Sequence, residues 1–188
     1  MTETEVKIRW DGPPASAQAL ILGHGFRVSA ARTLEVDQLF DRPSFDLRQA
    51  GLVLRLRRSG GLSTVTYKGP AAARETYKSR EEIEFDVSDP AAFAAVLGRL
   101  GYQPGFRYEK YRTKFSEAHA PGLVTLDETP MGVYLELEGS EYWIDLAAQR
   151  LGFTSAAYIT SSYAALYRLY RERNPDAPSN MTFGLGTV

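Results

Sequence analysis

The sequence predicts an α+β domain built on a closed, eight-stranded antiparallel β-barrel with a charged interior and helices packed outside. Three observations carry this. About eight short segments alternate apolar and polar residues at strand period, mostly joined by short turns. Roughly four helical stretches lie between or after them, and helices need an apolar sheet face to pack on. The face opposite the aliphatic residues carries formal charges of both signs on strand after strand.

Residues 3–10 alternate, with Val6, Ile8 and Trp10 on one side and Glu3, Glu5, Lys7 and Arg9 on the other. Asp11-Gly12-Pro13-Pro14 reads as a turn, residues 15–22 as a short helix, and Gly23-His24-Gly25 as its stop. Residues 33–41 form a strand, broken by Arg42-Pro43-Ser44, and residues 45–50 one helical turn. Residues 52–58 and 62–68 pair as a hairpin across Ser59-Gly60-Gly61. A polar loop leads to a strand at 78–87, with Ile83, Phe85 and Val87 opposite Arg80, Glu82 and Glu84. Asp89-Pro90 starts a helix with Phe93, Val96, Leu97 and Leu100 as its apolar stripe. Residues 108–116 form a strand bearing Lys110, Arg112 and Lys114 on one side. Residues 123–128 and 133–138 form another hairpin, and 141–151 and 156–172 two helices. Residues 1–173 then make one domain, and the Pro-, Asn- and Gly-rich residues 174–188 a flexible tail.

Composition narrows the function classes. Hydrophobic residues are 44% and aromatics 12%, and the net charge is −1, which fits a packed domain rather than a disordered chain. The 22 basic residues are balanced by 23 acidic ones, against a general nucleic-acid coat. There is no cysteine, which excludes disulfides, thiolate metal sites and cysteine nucleophiles. No apolar run approaches a membrane span and no signal peptide is expected, so the reading is cytoplasmic, without a membrane partner. Neither a P-loop nor a G-x-S-x-G elbow occurs. His24 and His119 sit in Gly- or Pro-rich loops, and Tyr163, Tyr167 and Tyr170 read as helix packing. Asp37 and Asp41 divide evenly between support of a site and plain strand-end polars, while Arg74 and Lys78 flank a loop and read as solvated cations in preference to substrate contacts.

If helices cover the aliphatic outside of the barrel, the charged side lines its interior. An interior of both signs suits a metal-bound polyanion. Carboxylates at alternate positions (Glu3 with Glu5, Glu136 with Glu138) offer paired hard oxygens to a divalent cation. Arg55 and Arg57 present planar forks matched to phosphate oxygens, and Lys68, Lys110 and Arg112 add charge.

These residues fall in an ordered set of motifs. Glu3-Thr-Glu5-Val-Lys7 resembles the ExExK signature of the CYTH superfamily, the triphosphate tunnel metalloenzymes. Further segments are similar to the family's later motifs in order: Asp37-Gln-Leu39-Phe40-Asp41, Leu54-Arg55-Leu56-Arg57, Thr66-Tyr67-Lys68-Gly69-Pro70, Arg80-Glu81-Glu82-Ile83-Glu84, Lys110-Tyr111-Arg112, Leu126-Asp127-Glu128, and the stretch from Gly132 to Glu138. Leu39 stands where the family usually has Tyr, and Tyr134 where it has Phe. The resemblance implies a triphosphate-binding tunnel that uses Mg2+ or Mn2+. It implies metal ligands at Glu3, Glu5, Glu136 and Glu138, and phosphate binding by Lys7, Arg55, Arg57, Lys68, Lys110 and Arg112. Glu5, Lys7, Glu84 and Asp127 are its catalytic candidates.

The expected activity is a divalent-metal-dependent triphosphatase acting on tripolyphosphate or an organic triphosphate such as thiamine triphosphate or ATP. The alternative is a class IV adenylyl cyclase making cyclic AMP and pyrophosphate from ATP. A non-catalytic anion-binding module is disfavoured, because extra carboxylates would weaken it. The expected partner is the small-molecule triphosphate, with no nucleic acid and a monomeric or homodimeric state.

Overall fold

The computed structural model describes residues 2–72 and 76–184. Arg74, read from sequence as a solvated loop cation, lies outside the described residues. Eight strands close into an antiparallel barrel: β1 (Thr2–Trp10), β2 (Arg27–Asp41), β3 (Val53–Ser59), β4 (Leu62–Lys68), β5 (Lys78–Asp86), β6 (Gln103–Ser116), β7 (Leu123–Thr129) and β8 (Gly132–Glu138). Their order around the barrel is β1-β5-β4-β3-β2-β6-β7-β8, with β8 returning to β1. Closure leaves no unpaired edge.

Strand alternation divides the side chains as expected. Val6, Ile8, Leu135 and Leu137 point outward into a core closed by α1 (Pro14–Gly23) and α4 (Glu141–Arg150), through Ala17, Ile21, Trp143 and Ile144. Gly122 permits this packing, since a Cβ there would lie 2.1 Å from the Trp143 ring. A second outer core joins Phe40, Leu56 and Val65 to Leu97 of α3 (Pro90–Arg99), whose N-terminus Asp89 caps by accepting from the Ala91 and Ala92 amides. The outer face of β5 is barely covered: Ile83 and Phe85 remain 52% and 50% exposed. The short α2 (Asp46–Gln49) follows β2, and the carboxylate of Asp41 accepts from the Leu47 and Arg48 amides.

The strand ends differ from expectation. β2 and β6 run longer at their starts, to Arg27 and Gln103, because the two pair with each other through register shifts at Val28/Ala30, Ala30/Thr33 and Gln38/Phe40. The single helix expected over residues 156–172 is broken. A 3-10 turn (Ser155–Ala157) is followed by extended chain, and α5 (Tyr163–Arg173) begins only after Ser162 caps it. The break has a partner: Ile159 exchanges both backbone hydrogen bonds with Lys7 of β1, at 2.9 and 2.8 Å. The expected flexible tail is also packed where it is described. Met181 is fully buried and bridges Tyr108, the Glu109 amide donates to its carbonyl, and the Phe183 ring lies against Tyr111. No described helix is long and apolar enough to cross a membrane.

Candidate active site

The inward face of the barrel lines a cavity of about 820 Å3. Its chemistry follows from the strand register, which sets opposite charges directly across from one another. Glu3 faces Arg80, Glu5 faces Lys78, and Lys7 faces Glu136. Asp37 faces Arg57, Glu35 faces Lys110, Lys68 faces Glu82, and Arg112 faces Asp127. Such cross-strand pairs stabilise a sheet, and they hold long cationic side chains upright in the lumen.

Contacts between these groups are dense. The Lys7 ammonium lies 3.1 Å from Glu5 Oε1 and 3.2 Å from Glu136 Oε1. Lys68 donates to Glu3 Oε2 at 2.9 Å and pairs with Glu82. Arg57 grips Asp37 through Nε at 2.8 Å and reaches Glu35 through Nη1 at 3.1 Å. Arg55 donates to Thr66 Oγ1 at 2.9 Å, and Thr66 donates to Glu84 Oε1 at 2.6 Å. Glu84 sits in a more exposed part of the cavity wall, its side chain about half accessible. Burial alone would raise the pKa of Glu136, but Arg112 and Lys7 outweigh it and hold the carboxyl well below the usual range. In the same way burial opposes Glu5, yet Lys7 and Lys78 keep it strongly acidic.

Among the described pairs one position breaks the rule of opposite charges. Glu5 also faces Glu138 across β1 and β8. Like charges directly opposed are unfavourable. Burial, then the charges of Glu3, Glu5 and Glu136, push the Glu138 carboxyl up to about 7. Among the described residues no three such side chains are gathered in a ready ligand cluster, because Glu3 and Glu5 are turned to lysines. The residue types nevertheless suit a hard divalent cation: Glu3, Glu5 and Glu138 carry carboxylate oxygens whose mutual repulsion a cation would relieve.

Asp127 anchors the wall formed by β6 and β7. It is fully buried behind the cavity lining and accepts from Lys110 at 2.8 Å, from Arg112 Nε at 2.6 Å and Nη2 at 2.5 Å, and from the Tyr163 hydroxyl at 2.6 Å. Arg112 also pairs with Glu136. The carboxylate therefore orients two cations rather than facing the lumen.

The other sequence candidates line one cavity together: Glu3, Glu5, Lys7, Arg55, Arg57, Lys68, Glu84, Lys110, Arg112, Glu136 and Glu138. Sequence reasoning undervalued four groups. Lys78, read as solvated, is buried in the lumen on Glu5; burial, then Lys7, bring its ammonium down to about 8. It shares the parity of Arg80, Glu82 and Glu84, which is the signal that could have found it. Asp37 lies at the centre of the arginine pair, and Glu35 two residues earlier was passed over. Tyr163, read as helix packing, reaches the lumen, and nothing local in its helix signals that.

Comparison with known proteins adds the family. The model of the CYTH domain matches residues 1–162. The chain is 29% identical over 141 residues to a Methanocaldococcus jannaschii protein named "Putative adenylate cyclase MJ0240", covering 74% of this chain and 78% of that one. Among solved structures, a Vibrio parahaemolyticus protein named in the same way superposes with a TM-score of 0.77 at 20% identity, over 89% of this chain and 98% of that one. HpAC1 from Hippeastrum, described as a putative adenylyl cyclase with a dominant triphosphatase activity, superposes with a TM-score of 0.63 at 18% identity, over 89% and 96% of the two chains. These two structural likenesses concern the fold. With the ordered motifs and the charged barrel, the match over residues 1–162 shows that this chain belongs to the CYTH family.

Proposed function

We propose that this protein is a divalent-metal-dependent triphosphatase that releases inorganic phosphate from tripolyphosphate or an organic triphosphate inside the barrel. The observation that carries the reading is that carboxylates and cations share one enclosed lumen. A facing carboxylate pair, Glu5 and Glu138 with Glu3 nearby, lies in the same cavity as Lys7, Arg55, Arg57, Lys68, Lys110 and Arg112.

Mg2+ or Mn2+ held by Glu3, Glu5 and Glu138 would supply a Lewis acid on the phosphate oxygens. The chain's own groups do the rest. Arg55 and Arg57 grip the chain of phosphates, and Lys7 of β1, Lys68 of β4, and Lys110 and Arg112 of β6 neutralise it. Water attacks the terminal phosphorus, the bond to the bridging oxygen breaks, and diphosphate leaves with the electron pair of that bond. Glu84, in its more exposed position, takes the proton of the water. Glu136 stays ionised and keeps Lys7 and Arg112 in place.

The test is purified protein with Mg2+ or Mn2+ and either tripolyphosphate or ATP, resolving phosphate, pyrophosphate and cyclic AMP. Phosphate release with tripolyphosphate preferred is the expected result, since none of these lumen groups is given a role toward a base or a sugar. Cyclic AMP and pyrophosphate from ATP, with tripolyphosphate untouched, would replace the triphosphatase by a cyclase.

A further inference from the structure

Aromatic rings stand in the lumen beside its charged groups, and one of them comes from outside the barrel. Tyr108 and Tyr134 share strand parity with Lys110 and Glu136, and both pack against Tyr163 at the first turn of α5. Tyr163 is buried and lines the cavity. Its ring centroid lies 5.3 Å from the Lys7 ammonium and 4.9 Å from that of Lys110, and its hydroxyl donates to Asp127 at 2.6 Å. The backbone holds it there. The exchange of hydrogen bonds between Ile159 and Lys7 ties the chain to β1 four residues before the ring.

Two lysines on different strands thus share one aromatic neighbour. A lysine stem has four rotatable carbons and its ammonium has no directional fork, so carboxylate partners alone fix its position poorly once a polyanion competes for it. A ring near both ammonium groups attracts them through its quadrupole and does not compete with phosphate as an acceptor. The backbone tie at Ile159 and the packing of Tyr108 and Tyr134 fix the ring relative to both. We infer that Tyr163 is a positioning residue: it presents Lys7 and Lys110 as a preset pair to the phosphate chain, and so makes the C-terminal helix part of the binding site. This rests on the triphosphate reading above.

The experiment is calorimetric titration of tripolyphosphate into the full chain without divalent cation, for the wild type, Tyr163→Leu, Tyr163→Phe and Tyr167→Leu. The last removes another buried tyrosine of α5, whose hydroxyl donates to the carbonyls of Pro178 and Asn180. Tyr163→Leu should weaken binding about tenfold or more, given two cation–π contacts. Tyr163→Phe keeps the ring and should stay within about threefold of the wild type, and Tyr167→Leu should bind as the wild type does. Wild-type affinity in Tyr163→Leu overturns the inference. An equal loss in Tyr167→Leu does too, because the effect would then follow from loosening the helix. Should Tyr163→Leu not fold, Tyr163→Phe decides with kinetics: near-native KM supports the ring's role, and a loss of tenfold or more overturns it. If the wild type binds no tripolyphosphate, the triphosphate reading itself fails and takes this inference with it.

Discussion

Replacing Asp127 by Asn tests whether the buried carboxylate is what holds the cationic wall. The side chain has no exposure and accepts four hydrogen bonds, three of them from Lys110 and Arg112. Asparagine keeps the shape but removes the charge and points an NH2 group among donors. Removing one partner of a buried ion pair costs about 3–5 kcal/mol. Here Arg112 keeps Glu136, and Lys110 keeps Glu35 at 3.6 Å, so the lower end applies, about 3 kcal/mol. For a chain of this size that lowers the melting temperature by roughly 6–12 °C. Guanidinium unfolding should show a reduced midpoint at unchanged slope. The double variant Asp127→Asn, Lys110→Met should recover part of the loss, since it removes a buried ammonium that has lost its shorter ion pair. An Asp127→Asn protein within about 0.5 kcal/mol of the wild type would place it among ordinary surface changes and refute the anchoring role.

Glu5→Gln and Glu138→Gln should each abolish turnover while the protein stays folded, because each removes an anionic oxygen from the donor set; activity within a few-fold of wild type at saturating Mg2+ would refute the assignment. Arg57→Lys should lower kcat/KM roughly ten- to a hundredfold, because lysine loses the fork that Asp37 and Glu35 now hold in position. Wild-type kcat/KM in that variant would show that Arg57 supplies field alone. Glu138 also has a signature in stability. Between its ordinary pKa of 4.5 and about 7 the folded state holds a proton that the unfolded state has lost, so its contribution falls as pH rises through that window and is flat above it. The gap between Glu138→Gln and wild type without divalent cation should therefore widen by up to about 3 kcal/mol from pH 4.5 to 8, and a constant gap would refute the raised carboxyl. Finally, Mg2+ and tripolyphosphate should each raise the protein's affinity for the other, measured by titration after correction for the complex they form in solution; independent binding would refute the charge exchange argued below.

The strand pattern made most of this architecture legible, because parity is a local property. Once Glu5, Lys7, Arg55 and Arg57 are read as one face, the antiparallel register carries them into a single lumen. Lys78 was readable by the same rule and was lost only because it adjoins a polar loop, where solvation is the usual fate of a lysine. Helix periodicity fails at residues 155–162 for a different reason. Ala156 and Ala157 suit a helix, but Ile159 finds a backbone partner on β1 more than 150 residues earlier, and no local signal reports that pairing. The same holds for Met181, which pairs beside Tyr108, and for Tyr163, whose role depends on two lysines from distant strands.

The dense pairing of the lumen bears on how it could take up its ligand. A barrel lined only by cations would pay for their mutual repulsion in the folded state, and one lined only by carboxylates likewise. Here Lys7 rests on Glu5 and Glu136, Lys68 on Glu3 and Glu82, and Arg112 on Asp127 and Glu136. Entry of a phosphate chain gives the cations new partners but strands the carboxylates they leave. Entry of a divalent cation does the reverse. When both enter, Glu3 and Glu5 can turn to the metal as Lys68 and Lys7 turn to phosphate, so that few buried charges are left without a partner. Asp127, out of the lumen and held by Tyr163, has no part in that exchange, which is why it can keep Lys110 and Arg112 aimed while the pairs around them change.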